Sequence, residues 1–256
     1  RPFRAPHHTV STAALVGGGP HPRPGEISLA HHGVLFLDEV AEFPRFALDA
    51  LRQPLEEGHV TVTRLARTAH FPARFVLVAA MNPCPCGFAG DPVRECRCTP
   101  PQVARYAASL SGPLRDRIDL TVHVAALPPE QLDGSPSGEP SRAVRARVEL
   151  ARSAQHARTG ADGRRAQNLA AANSTTSPGL PFPDTGTLNA ALSPAQLARD
   201  CALPPSARQL LTRAAGRLGL SARGWDRVRK VARTIADLSG EERIAAEHVA
   251  EALQFR

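Results

Sequence analysis

The chain has 256 residues, 42% of them hydrophobic and 4% aromatic, with 24 Pro, 19 Gly and a formal net charge of +7. That length buries a substantial core in one large domain or in a core domain with a smaller second one, so a peptide scaffold is excluded. No apolar run approaches the ~20 residues of a membrane span, which excludes a spanning helix, and the positive balance favours polyanionic partners such as nucleic acid or nucleotide phosphates.

The sequence opens Arg1-Pro2-Phe3-Arg4, without Met and without the charged-then-apolar order of an export signal, and reads as an internal stretch of a cytoplasmic protein. Residues 1–32 are punctuated by Pro, Gly and His and predict loops with one short helix around Val10 to Leu15. Val34-Leu35-Phe36-Leu37 is a continuous apolar run, the pattern of a strand buried on both faces of a parallel sheet, and it ends in Asp38-Glu39. Phe43, Ala47, Leu48 and Leu51 recur at helical spacing after Pro44, and Pro54 is expected to end or kink that helix. Val60–Thr63 and Thr68–Phe71 predict a hairpin with arginines at its tip. Phe75–Ala80 is a second buried-strand run, closing on Met81-Asn82-Pro83. Pro101–Leu110 predicts a helix and Leu120–Val124 an alternating strand.

Pro128-Pro129 marks a boundary, giving an α/β core over 1–127, a linker over 128–139 and a helical domain over 140–256. Helices are predicted over Arg142–Arg158, Pro194–Cys201, Pro205–Leu218, Ala222–Leu238 and Ala246–Leu253, with residues 160–187 an aperiodic, flexible insertion.

Ligands of open α/β sheets bind beyond the carboxyl ends of the strands, where this chain carries Asp38-Glu39 and Asn82. An apolar strand ending in two acids suits a nucleotide hydrolase: one carboxylate faces Mg²⁺ through water and the other orients the attacking water. The same string also reads as a strand end capped by solvated acids. Asn82 offers donor and acceptor without added charge, or is simply a turn residue before Pro83. Arg117 reads either as an arginine finger toward a neighbouring subunit or as an ion-pair partner of Asp116 or Asp119. Arg223 reads either as a nucleotide sensor or as part of a solvated basic helix face.

Five cysteines, four of them between Cys84 and Cys98, point in a reducing compartment to a metal rather than to disulfides. Cys84-x-Cys86 and Cys96-x-Cys98 supply four thiolates, enough to close one structural Zn²⁺ with no open position; unmetallated thiols are the alternative. Cys201 is expected to be a small buried residue, and the pairs His7-His8 and His31-His32 lack metal-clasp spacing and read as loop residues.

In order, Arg1-Pro2-Phe3-Arg4-Ala5-Pro6-His7-His8, the stretch from Pro24 through Asp38-Glu39, Met81-Asn82-Pro83-Cys84-Pro85-Cys86-Gly87 and Ser111 through Asp119 closely resemble the magnesium-chelatase-like AAA+ ATPases, in their competence-protein branch. Leu220–Arg223 and Lys230–Leu238 are similar to that family's helical lid. The resemblance implies ATP and Mg²⁺ as cofactors, with Asp38 and Glu39 as the Walker B pair, Asn82 as sensor 1, Arg117 as the arginine finger and Arg223 as sensor 2. It further implies a homo-hexameric ring that moves along DNA, tied in this branch to branch migration during natural transformation. The hairpin arginines Arg64 and Arg67, with Arg74 beside them, would then face the pore and contact DNA phosphates without sequence preference.

Two departures from the pattern stand out. Arg115 occupies a position where Leu is usual, and the chain lacks the G-x-x-x-x-G-K-[ST] phosphate loop, its single lysine being Lys230. The family carries that loop just upstream, so the expectation is a stretch from a longer protein, inert alone and lacking its N-terminal part with the Lon-protease-like domain. Two rival readings remain: a chelatase motor that inserts magnesium into a porphyrin, and a non-enzymatic zinc-stabilised binding module.

Overall fold

The apolar run at residues 34–37 sits at the centre of the first of two units, Arg1–Ile118 and Asp119–Arg256. The structure, a computed structural model, describes residues 1–19, 21–64, 67–125, 138–172 and 188–256, with the backbone alone described at Arg64, Arg67 and 159–172.

The first unit runs β1 (Phe3–Arg4), α1 (Thr12–Val16), β2 (Gly17–Gly18), β3 (Arg23–Pro24), α2 (Glu26–Leu29), β4 (Val34–Leu37), α3 (Arg45–Asp49), α4 (Arg52–Glu57), β5 (His59–Arg64), β6 (Arg67–Pro72), β7 (Val76–Ala79), α5 (Pro100–Ala107) and α6 (Gly112–Arg115). β1, β4 and β7 form a parallel sheet in the order β1-β4-β7, in register at Phe3–Val34 and at Leu37–Ala79. Leu35 and Leu37 project to the fully buried face with Leu15, Ile27, Leu48 and Leu51, and Phe36 on the other face stacks on Phe3 at 6.2 Å. Gly33 lets β1 approach: a Cβ there would lie 1.9 Å from the Pro2 carbonyl oxygen that accepts the Val34 amide. The loop entering β4 is tied to the one entering β7. The Arg74 amide donates to His31 Nδ1 at 3.0 Å, and burial lowers the pKa of that imidazole. His31 thus serves the fold, in keeping with its reading as a loop residue.

The second unit contains α7 (Ser141–Ala172), α8 (Pro194–Asp200), α9 (Pro205–Leu218), α10 (Ala222–Leu238) and α11 (Ala246–Gln254). Leu211, Val228, Ala232, Val249 and Cys201 form its apolar centre, with Trp225 packed against it. Ser193 and Ser221 cap α8 and α10 through their side chains, and Gly219 ends α9 in the left-handed region at φ 61°. Beside the apolar centre lies a polar cluster. Asp237 receives Arg158 at 2.8 and 2.9 Å, Arg233 at 3.0 and 3.1 Å and the Asn189 amide at 2.7 Å.

Several sequence expectations are corrected. Leu120–Val124 forms no strand; Leu120, Val122 and Val124 are exposed, and no described strand pairs with this segment to bury its alternating face. β7, expected to be buried on both faces, exposes Val76 and Val78, because that face is left uncovered among the described residues. The helix expected through Gln53 is two short helices, and Pro54 lies in the first turn of α4, where a missing N–H breaks no intrahelical bond. Within the expected insertion, α7 continues to Ala172, while 173–187 lie outside the described residues. β1 and α2 were hidden among Pro, Gly and His in a segment read as loops.

Candidate active site

Parallel pairing of β4 with β7 brings Asp38-Glu39 and Asn82 to one rim of the sheet. The pairing runs one bond past the strands: the Ala80 amide donates to the Leu37 carbonyl and the Val40 amide to the Ala80 carbonyl, both at 2.9 Å. Between those anchors the backbone turns sharply, with Glu39 at φ 49°, ψ 46° and its amide donating to Asp38 Oδ1 at 3.0 Å. Asp38, Glu39 and Asn82 are all exposed, as groups that meet a ligand must be. The sequence-predicted trio is therefore assembled.

Two further side chains join the rim that spacing alone did not reveal. His8 Nδ1 lies 3.5 Å from Glu39 Oε2, with its ring edge-on to Phe43 at 6.4 Å. Tyr106, on α5, has its phenol pKa raised by burial and then by the charge of Glu42, against the opposing influence of the Asn82 backbone amide near it. His8 closes the Arg1–His8 string, whose pattern carries no sign of Glu39, and each of the two reaches the rim from a segment distant in sequence.

Immediately beyond Asn82 the chain gathers Cys84, Cys86, Cys96 and Cys98, whose sulfurs lie within 4.8 Å of one another. Cys84 and Cys86 are 3.4 Å apart, and each is 3.6 Å from Cys96. The Ala89 amide donates to Cys84 at 3.3 Å. The amides of Phe88 and Arg97 draw the Cys86 thiol down to about 6. A tetrahedral ion with metal–sulfur bonds near ~2.3 Å has sulfurs ~3.8 Å apart, so the donor set and its spacing fit one four-thiolate metal ion.

The sequence profile of the family described as magnesium chelatase, subunit ChlI, matches residues 1–132, and that of its C-terminal domain matches residues 138–256. The chain belongs to the magnesium chelatase ChlI family. As in that family, an α/β AAA+-type core with a parallel sheet is followed by a helical domain. The chain is 46% identical to the competence protein ComM of Haemophilus influenzae, 43% to the protein YifB of Escherichia coli and 44% to an uncharacterized protein of Mycobacterium tuberculosis. Each match covers 100% of this chain and 45 or 46% of the relative, so the chain spans about half the length of the curated relatives it matches.

The predicted arginines of this ChlI-family chain belong to other elements than the rim strands. Arg117 is turned inward: its side chain is 7% exposed, paired with Glu56 and donating to the Pro113 carbonyl at 2.7 Å. Glu56 is thus a partner that the sequence reading, with its neighbouring aspartates, did not include. Arg223 is exposed on the first turn of α10, in the second unit. Arg64 and Arg67 pair at the end of the β5–β6 hairpin, with their side chains outside the described residues. Arg74 lies past β6, its carbonyl accepting the His32 amide at 2.6 Å. No helix among the described residues is long and apolar enough to cross a membrane.

Proposed function

We propose that the protein of which this chain forms part hydrolyses ATP with Mg²⁺ and uses the turnover to move along or remodel DNA as a homo-hexameric, cytoplasmic ring. The observation that carries the reading is the common rim, where adjacent parallel strands end in two exposed carboxylates and an exposed carboxamide. Mg²⁺ would supply charge neutralisation at the phosphates. Asp38 would hold it through water, and its exposed carboxylate, which accepts the Glu39 amide at one oxygen, has acceptor positions to spare. Glu39 orients the attacking water and accepts its proton, and Asn82 hydrogen-bonds that water or the terminal phosphate. Arg223 contacts the nucleotide from the helical domain. Arg117 must leave Glu56 before it can neutralise a phosphoryl group bound to a neighbouring subunit.

Cys84, Cys86, Cys96 and Cys98 hold one structural Zn²⁺ in this reading, supported by the close approach of their sulfurs. Arg64, Arg67 and Arg74, repeated around a ring, give phosphate contacts without base preference. The DNA assignment is supported by the 46% identity to a competence protein and by the branch resemblance carried by the sequence motifs. The chain itself has no phosphate loop, so turnover is proposed for the longer protein and not for this stretch alone.

The test is ATP turnover by the full-length protein with and without branched DNA. Glu39→Gln is expected to lower turnover at least ~100-fold while ATP still binds. Undiminished turnover removes Glu39 from its role. Stimulation by branched DNA is expected; stimulation by a porphyrin with Mg²⁺ instead favours the chelatase reading, which the family's description supports.

A further inference from the structure

The segment between Asn82 and α5 holds its shape with very little apolar burial. It contains no helix or strand; Val93 is 83% exposed, and Cys84 is its one buried residue. What organises it is local and polar: the Asp91 carboxylate accepts the Val93 and Arg94 amides at 2.8 Å, Arg94 lies over the Phe88 ring, and backbone amides point at the cysteine sulfurs. Loops so poor in apolar contacts keep one conformation when a metal closes them.

The ends of this segment both lead back to the rim. Cys84 is two residues beyond Asn82 on one side. On the other, Cys98 precedes Thr99, the N-cap of α5, whose amide donates to the Gln102 side chain at 2.8 Å. Two turns along α5, the Tyr106 phenol lies near enough to the Asn82 amide to be influenced by it. The chain therefore makes a closed circuit from Asn82 through Cys84, across the sulfur cluster to Cys98, along α5 to Tyr106 and back to Asn82. The links are the covalent chain, the helix and the approach of the Asn82 amide to the phenol, and the remaining one crosses between sulfurs joined by no disulfide.

We propose that a Zn²⁺ bound by Cys84, Cys86, Cys96 and Cys98 completes this circuit, and that its role is to clamp the rim end of β7, with Tyr106 as the positioning residue that transmits the constraint to Asn82. A bound ion fixes the start of α5 relative to Cys84, and Tyr106 then holds the Asn82 amide next to the loop bearing Glu39. Loss of the ion opens the circuit at the sulfurs and leaves Asn82 held by β7 and one phenol. The clamp deepens the ATPase reading, in which Asn82 touches the reacting groups, yet its physical content requires no nucleotide.

Tyr106 is the only tyrosine in the sequence, so incorporation of fluorotyrosine gives a single ¹⁹F resonance at the rim. The chain should carry one zinc per molecule by metal analysis. Removing it with a chelator should shift or broaden that resonance and speed exchange of the Asn82 amide at least tenfold, and added Zn²⁺ should restore both. Cys96→Ser should reproduce the stripped state. Tyr106→Phe should keep the zinc while speeding Asn82 exchange. Absence of bound metal overturns the centre. Bound metal whose removal leaves the resonance and the exchange rate unchanged overturns the clamp. Failure of the ATPase reading would be seen in turnover alone and would leave these measurements unaltered.

Discussion

In the first unit the carboxylates of Asp38 and Glu39 stand in solvent at a strand end, whereas in the second the Asp237 carboxylate is 1% exposed and shared by two arginines and an asparagine. The surroundings differ in the same sense. Leu35 and Leu37 anchor β4 by apolar burial and its ladders to β1 and β7 fix its register, so the acids that follow need not be buried to hold the strand. Asp237 ties α10 to α7 and to Asn189, and Arg233 reaches on to the carbonyls of Glu241 and Glu242. Charge exposed on an apolar scaffold is available for chemistry; charge buried among partners is committed to the fold.

The largest expected effect that tests this contrast is Asp237→Ala. It leaves Arg158 and Arg233 around an empty centre and should destabilise the second unit by ~3–5 kcal/mol. Trp225, the only tryptophan, lies on α10 and reports that unfolding by its emission in urea; an unchanged midpoint would break the comparison. In the first unit Gly33→Ala drives a Cβ onto the Pro2 carbonyl and should cost ~1–3 kcal/mol by forcing β1 from β4, read as a lowered thermal midpoint. The smallest effect sharpens the contrast from the other side. Arg147→Ala removes the exposed pair with Glu139 at 2.9 Å and should change stability by no more than ~0.5 kcal/mol.

Where local pattern and burial agree, the sequence was readable. β4 matches its four-residue apolar run, and α9 and α10 span the predicted Pro205–Leu218 and Ala222–Leu238. The rim trio was legible because parallel strands of one sheet point their carboxyl ends the same way. Pattern was insufficient where the outcome depends on a neighbour. The alternation of Leu120–Val124 signals a strand only when another strand lies beside it, and the apolar residues of β7 signal burial only when both faces are covered. Arg117 shows the same dependence: its motif carries no sign of Glu56, 61 residues away in sequence, and so none of its inward rotamer. His8 and Tyr106 reach the rim by tertiary packing, which no spacing rule encodes.

Glu39 occupies a backbone region that favours glycine and asparagine, and a side chain with a Cβ there carries a penalty of ~1–2 kcal/mol. Shape alone would be served better by glycine, which relieves that crowding and keeps the turn. A residue retained against conformational preference, in solvent, with no part in the apolar core, has its explanation outside folding. Stabilisation of the chain by Glu39→Gly would put a number on how far the molecule has departed from its most comfortable backbone in order to present an acid at that spot.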